Sequence, residues 1–211
     1  MLRKLLSPDD LHRFLLYAEL LSISDKPLLW DGKDVKEITS TNGKEKISFK
    51  KGEAESELLA DWRKNIKDAP PGNVMQHVLI HLLKDVPLYD CITNPEGVQW
   101  NAVASALHRA LGGGIKYQLE PDSKKLNVQI INQADQKTEA DGTQNPYVIR
   151  IMLYELMLMA LADGQISAIE YRFLEEFKRY YKIDDLAFEE IRERAESMYR
   201  ETQKTIALVL E

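Results

Sequence analysis

Leu158-Met159-Ala160-Leu161-Ala162-Asp163-Gly164-Gln165-Ile166-Ser167-Ala168-Ile169-Glu170 decides the fold of this chain. Its first five residues are apolar and good helix formers. Asp163-Gly164 breaks the run, and Gly164 can take the left-handed conformation that closes a helix. Ser167 and Glu170 then match a capping box. The serine hydroxyl accepts from the backbone N–H three residues on, and the glutamate reaches back to the serine N–H. The stretch therefore predicts helix, tight turn, helix. Upstream, Asn145-Pro146 is a helix start. Tyr147 to Ala162 carries only Arg150 and Glu155 as charged residues, which predicts the central buried helix of its unit. Downstream, Ile169, Phe173, Phe177 and Tyr180 recur at helical spacing. Asp184-Asp185 caps a third helix, for which Phe188, Ile191, Ala195, Met198 and Thr202 supply a narrow apolar seam. Residues 146–211 thus read as a three-helix unit.

The same quoted residues, followed by Phe173-Leu174-Glu175-Glu176-Phe177, resemble the signature of the TerB-like family, named for a tellurite-resistance protein. The family pattern is an Ala-rich helix ending in Ala-Asp-Gly, a small spacer, then a Ser and a Glu opening the next helix. The resemblance covers about residues 146–205. It implies an all-α fold and a non-enzymatic protein. It also implies links to bacterial stress responses, metal-related phenotypes and membrane-associated complexes. The residues it carries over are Asp163 and Glu170.

Outward from this unit, Asn132 to Asn145 has no large apolar side chain and reads as a polar linker over 132–145. Residues 1–131 read as a helical region with a β-hairpin near 115–131. Ser7-Pro8-Asp9-Asp10 opens a helix bearing Leu11, Phe14, Leu15, Ala18 and Leu21. Residues 24–50 are turn-rich. Further helices are predicted over 53–66, 73–84 and 96–111, the second of them apolar nearly all round. Gly112-Gly113-Gly114 then switches the period. Ile115, Tyr117 and Leu119, and after a turn Leu126, Val128 and Ile130, alternate with polar residues. Such a hairpin needs helices beneath its apolar face. Residues 1–145 show no convincing second copy of the C-terminal motif. Leu16-Tyr17-Ala18-Glu19-Leu20 with Trp30-Asp31-Gly32 echoes it at a different spacing. The expected fold class is mainly α, a helical bundle with one small hairpin.

Composition narrows the function. The 211 residues carry 28 basic and 34 acidic side chains, net −6, so there is no overall cationic footprint for nucleic acid. The longest uninterrupted apolar run, Leu156 to Ala162, is far short of a membrane span. The start breaks off at Ser7-Pro8 and does not read as a secretory signal. A single cysteine, Cys91, cannot form an internal disulfide or a multi-cysteine zinc site. A cytoplasmic, soluble protein is expected.

The candidate metal ligands are Asp163 and Glu170, two carboxylates across one turn that could hold a hard divalent cation. Capping alone accounts for Glu170. Two carboxylates make a weak site, so no large ion effect is expected unless residues 1–145 or a partner supply further ligands. Glu155 lies about two helical turns before Asp163, about 12 Å away, too far to join. The segment mimics half an EF-hand, but positions one and three would be Met159 and Leu161, which cannot ligate calcium. His77 and His81 stand four apart on a helix, but Val78 occupies the place of the metalloprotease glutamate. They are expected to be interior or half-buried and bonded to backbone. No catalytic elbow, phosphate loop or dinucleotide fingerprint is present. The expected function is therefore non-enzymatic: a TerB-like protein that binds a protein partner or a weakly held divalent cation, with no other cofactor. The alternatives are a metal-free structural adaptor and, last, a metalloenzyme at His77 and His81.

Overall fold

The computed structural model describes residues 2–34, 37, 47–50, 52–120, 125–131 and 145–210. The fold is mainly α, with small antiparallel sheets. A 3-10 turn, Leu2–Leu5, precedes α1 (Pro8–Ser24), which opens as its sequence predicts: the Ser7 hydroxyl accepts from the Asp10 N–H. Every residue of α1 from Phe14 to Ser24 is buried. The reason is its place at the centre, against α2 (Glu53–Lys64), α3 (Val74–Leu83), α5 (Pro95–Leu111), α6 (Pro146–Ala160) and α7 (Ala168–Tyr180). Glu19 survives in this setting because both oxygens are used. One accepts from the Met75 N–H at 3.1 Å, near the start of α3, and the other from Arg63 at 3.1 Å.

Between α1 and α2 lies a sheet that the turn-rich composition hid. β1 (Leu28–Trp30) pairs antiparallel with β2 (Lys33–Asp34) and with β3 (Ile47–Phe49). Asp31 and Gly32 both have positive φ, 50° and 79°, as a two-residue turn between twisted strands requires. A short helix, α4 (Leu88–Thr93), precedes α5, also unpredicted. β4 (Ile115–Leu119) and β5 (Leu126–Ile130) form the expected hairpin, with Tyr117 opposite Val128. Its apolar residues Ile115, Tyr117, Leu126, Val128 and Ile130 pack on the core, as anticipated. The expected α3 surface is corrected. Val74, Met75, Val78, Leu79 and Leu83 are buried, but His77 and His81 are exposed, so the helix is amphipathic.

The polar linker expected over 132–145 lies, up to residue 144, outside the described residues. On either side of it, apolar side chains join one cluster. Tyr17 of α1 stacks edge-on against Phe177 of α7 at 5.7 Å, and its hydroxyl meets that of Tyr181 at 3.3 Å. α6 to α8 (Asp185–Leu210) form the expected three-helix unit. The α8 seam is shorter than its sequence suggests. Phe188 and Ala195 are buried, whereas Met198 is 51% exposed and Thr202 is exposed. α8 runs in the direction of α6, from Asp184 beside Arg150 to Tyr199 beside Gly164. Since α6 stops at Ala160, the last ten residues of α8 have no helix to lie on among the described residues, and all of 201–210 is exposed. Among the described residues, no helix is long and apolar enough to cross a membrane.

Candidate functional site: a carboxylate cluster around Lys26

The quoted turn folds as read. The Ser167 hydroxyl accepts from the Glu170 N–H at 3.3 Å, and the Glu170 carboxylate accepts from the Ser167 N–H at 2.8 Å. Gly164 takes φ +101°. Asp163 sits three residues beyond the end of α6, and Glu170 is the third residue of α7.

The N-terminal part of the sequence supplies a second pair. Asp25 follows the last residue of α1 directly, and Glu55 is the third residue of α2. Asp163 and Glu170 are seven positions apart, Asp25 and Glu55 thirty, the sheet occupying part of the difference. Each corner therefore places an aspartate past a helix end and a glutamate in the first turn of the next helix. The positive ends of the α2 and α7 dipoles favour carboxylates there. Asp25, Glu55 and Glu170 each present an oxygen within 4.8 Å of the others. That spacing suits a cation with oxygens at about 2.4 Å, the range of calcium.

Lys26 enters the cluster. Its ammonium lies 2.7 Å from Glu55 Oε1, 3.0 Å from Asp163 Oδ2 and 3.2 Å from Asp25 Oδ1. Burial works against its charge, but hydrogen bonds to Glu55 and Asp163 outweigh this and raise its pKa above the ordinary lysine range. Glu170 shows the opposite balance. Burial pushes its carboxyl up to about 7, and the charge of Asp25 adds to this. The bonds from Ser167 and the charge of Lys26 only partly oppose it. Among the described residues, one ammonium thus contacts three acids, and its charge also acts on Glu170.

The backbone around Lys26 is held from α5. The Gln99 side-chain amide donates to the carbonyls of Ser24 and Lys26, both at 2.7 Å. Gly52, ahead of α2, lets Glu55 fold back over the chain. A Cβ at Gly52 would stand 2.0 Å from Glu55 Oε2 and 2.8 Å from Lys26 Cε. That Oε2 is buried and has no hydrogen-bond partner among the described residues. A cleft of about 400 Å³ adjoins the cluster, lined in part by Asp25, Trp30, Gln99 and Ser167.

The structure thus places Glu170 beside Asp25 and Glu55 from residues 1–145, with Asp163 joined to them through Lys26. Asp25, Lys26, Glu55 and Gln99 were not singled out in the sequence. The visible signal was a Glu opening a helix just after a turn-forming Gly52, parallel to Glu170. The Asp31-Gly32 echo pointed to the wrong aspartate, since it forms the β1–β2 turn. Glu155 is fully buried away from the cluster and accepts from the Arg3 N–H at 3.1 Å. Met159 and Leu161, the failed EF-hand positions, are core residues. The exposed His77 donates to the Asn73 carbonyl at 2.7 Å, a helix-end contact. Cys91 is buried.

No family model matches the chain, and no curated protein or solved structure matches it either.

Proposed function

We propose that this chain is a non-enzymatic, TerB-like bacterial protein of the cytoplasm that binds a divalent cation or a protein partner through the acidic turn at Asp163 and Glu170, in a stress response of the tellurite-resistance kind. The observation that carries the reading is the convergence of Asp25, Glu55 and Glu170 on one point, with Asp163 tied to them through Lys26. Three carboxylates within reach of one centre make a stronger hard-cation site than the two of the turn alone. The stress association rests on the sequence resemblance alone. The test is thermal unfolding with calcium or magnesium. A ligand that binds only the native state stabilises it by about 2.7 kcal/mol at a hundredfold excess over its dissociation constant. The expected result is a rise in melting midpoint at millimolar ion, lost in Asp25→Asn and weakened in Asp163→Asn. A flat titration rejects ion binding.

The alternative is a metal-free adaptor, and one observation favours it. The free end of α8 exposes Ile206, Leu208, Val209 and Leu210. A groove of about 1350 Å³ between the N-terminal turn, α6 and α8 exposes Leu2, Leu5 and Tyr147. Exposed apolar residues gathered in this way mark interaction surfaces. A pull-down that loses its partner when 201–210 is deleted, with the fold intact, would support the adaptor.

A further inference from the structure

The geometry points to Lys26 as a built-in cation of the carboxylate cluster, one that competes with divalent metal ions for Asp25, Glu55, Glu170 and Asp163 and must swing out for an ion to enter. This rests on the ion-binding reading above and adds its regulation.

Three observations carry it. First, the ammonium engages two of the three carboxylates, Asp25 and Glu55, that converge with Glu170 on one point. It lies within 3.2 Å of oxygens from Glu55, Asp163 and Asp25, three acids drawn from both corners. Second, the ammonium does not complete the site. Glu55 is 2% exposed, yet its Oε2 has no hydrogen-bond partner among the described residues and lies over Gly52 beside the Lys26 stem. A buried carboxylate oxygen left without a donor is costly. An ammonium offers three donors, already matched here by three acids, whereas calcium accepts six to eight oxygens in flexible geometry, including both oxygens of one carboxylate. A divalent ion would therefore satisfy what the lysine leaves open. Third, the exchange needs only side-chain rotation. Gln99 clamps the carbonyls of Ser24 and Lys26, and the Lys50 N–H donates to the Pro27 carbonyl at 3.1 Å. The backbone on both sides of Lys26 is thus fixed. The lysine side chain is 12% exposed and Asp163 beside it 49%, so the ammonium has a short path to water past Asp163.

Competition of this kind sets a threshold. Ion occupancy must displace an intramolecular partner, so the wild type responds only at high free ion. Removal of the ammonium lowers the threshold.

The experiment titrates calcium into chelator-treated wild type, Lys26→Met and Lys26→Gln, read by calorimetry and by melting midpoint. In parallel, reductive methylation of wild-type Lys26 is followed by mass spectrometry with and without saturating calcium. The expected result is at least tenfold tighter calcium binding in both variants, lost again when Asp25→Asn is added. Labelling of wild-type Lys26 should rise at least severalfold when calcium binds. Equal affinity in wild type and variants, or unchanged labelling with calcium bound, overturns the role of Lys26 while the ion site stands. No binding in wild type or variants overturns both. If the variants fold only in calcium, that rescue supports the inference. If calcium fails to rescue them and wild-type labelling stays flat, the inference falls.

Discussion

The α1–α2 corner and the α6–α7 corner each place an aspartate past one helix and a glutamate third in the next, but they are built differently. The α6–α7 corner is local: seven positions separate Asp163 from Glu170, and a serine–glutamate box closes it from within. The α1–α2 corner is remote. Thirty positions and a small sheet separate Asp25 from Glu55, Gly52 caps α2 without a side-chain bond, and Gln99 from α5 holds the turn. One geometry can thus be specified by a short motif or by tertiary clamps. Only the first kind is visible as a motif.

The largest expected effect joins the two corners. Lys26→Met in metal-free buffer leaves the acids without their cation, and breaking a buried charge pair costs about 3 kcal/mol. Urea unfolding with a chelator present should show it. A loss of only a few tenths would mean the corners are not coupled through Lys26.

Next comes Gly52→Ala, which drives a Cβ into Glu55 Oε2 and Lys26 Cε. Overpacking of this kind costs about 1–3 kcal/mol. A neutral Gly52→Ala would show that Glu55 can turn away freely, and that the α1–α2 corner does not need its glycine.

The pH dependence separates the two glutamates. The folded-state pKa of Glu170 is raised from the ordinary carboxylate value to about 7, chiefly by burial. The proton binds more tightly to the folded form, so this contribution is fully present below about pH 4.5 and is lost as pH rises through about 7. Stability without metal should fall over that interval, by on the order of 3 kcal/mol from this group. Glu170→Gln keeps the capping bond and should flatten the fall, leaving the variant the more stable at pH 8. A wild-type profile unchanged by Glu170→Gln would refute the assignment.

The smallest effect is local. Ser167→Ala removes the helix cap and should cost about 0.5–2 kcal/mol. Because the backbone N–H of residue 167 still donates to Glu170, calcium affinity should drop less than tenfold. A complete loss would show that the capping box also sets the ligand geometry.

How much of this was legible follows from the same contrast. The helices with caps of their own, Ser7 at α1, Asn145 at α6 and Ser167 at α7, could be read because each signal sits within four residues of what it controls. The β4–β5 hairpin was legible from alternation. The β1–β3 sheet was not, because strands of two or three residues are too short to show a period. Asp163 and Glu170 stood out as a pair. Asp25 and Glu55 did not, because thirty residues separate them and no spacing rule links them. The Met198 and Thr202 end of the α8 seam has correct periodicity, but periodicity cannot tell that α6 ends too soon to meet it.

The unequal loops also bear on the order in which the molecule assembles. Closing a flexible loop costs entropy that grows with the logarithm of its length. By that measure the thirty-residue connection between Asp25 and Glu55 costs about 1 kcal/mol more to close than the seven-residue one between Asp163 and Glu170. Local contacts also form fastest. The α6–α7 hairpin therefore belongs with the nucleus, and the α1–α2 corner closes onto it late. Ser167→Ala should then slow refolding, whereas Gly52→Ala should mainly speed unfolding. Stopped-flow measurements on the two variants would separate them, and equal partition between the two rates would count against a sequential closure. Late closure means that the carboxylates come together last, after most of the stabilising burial is in place to hold their mutual repulsion.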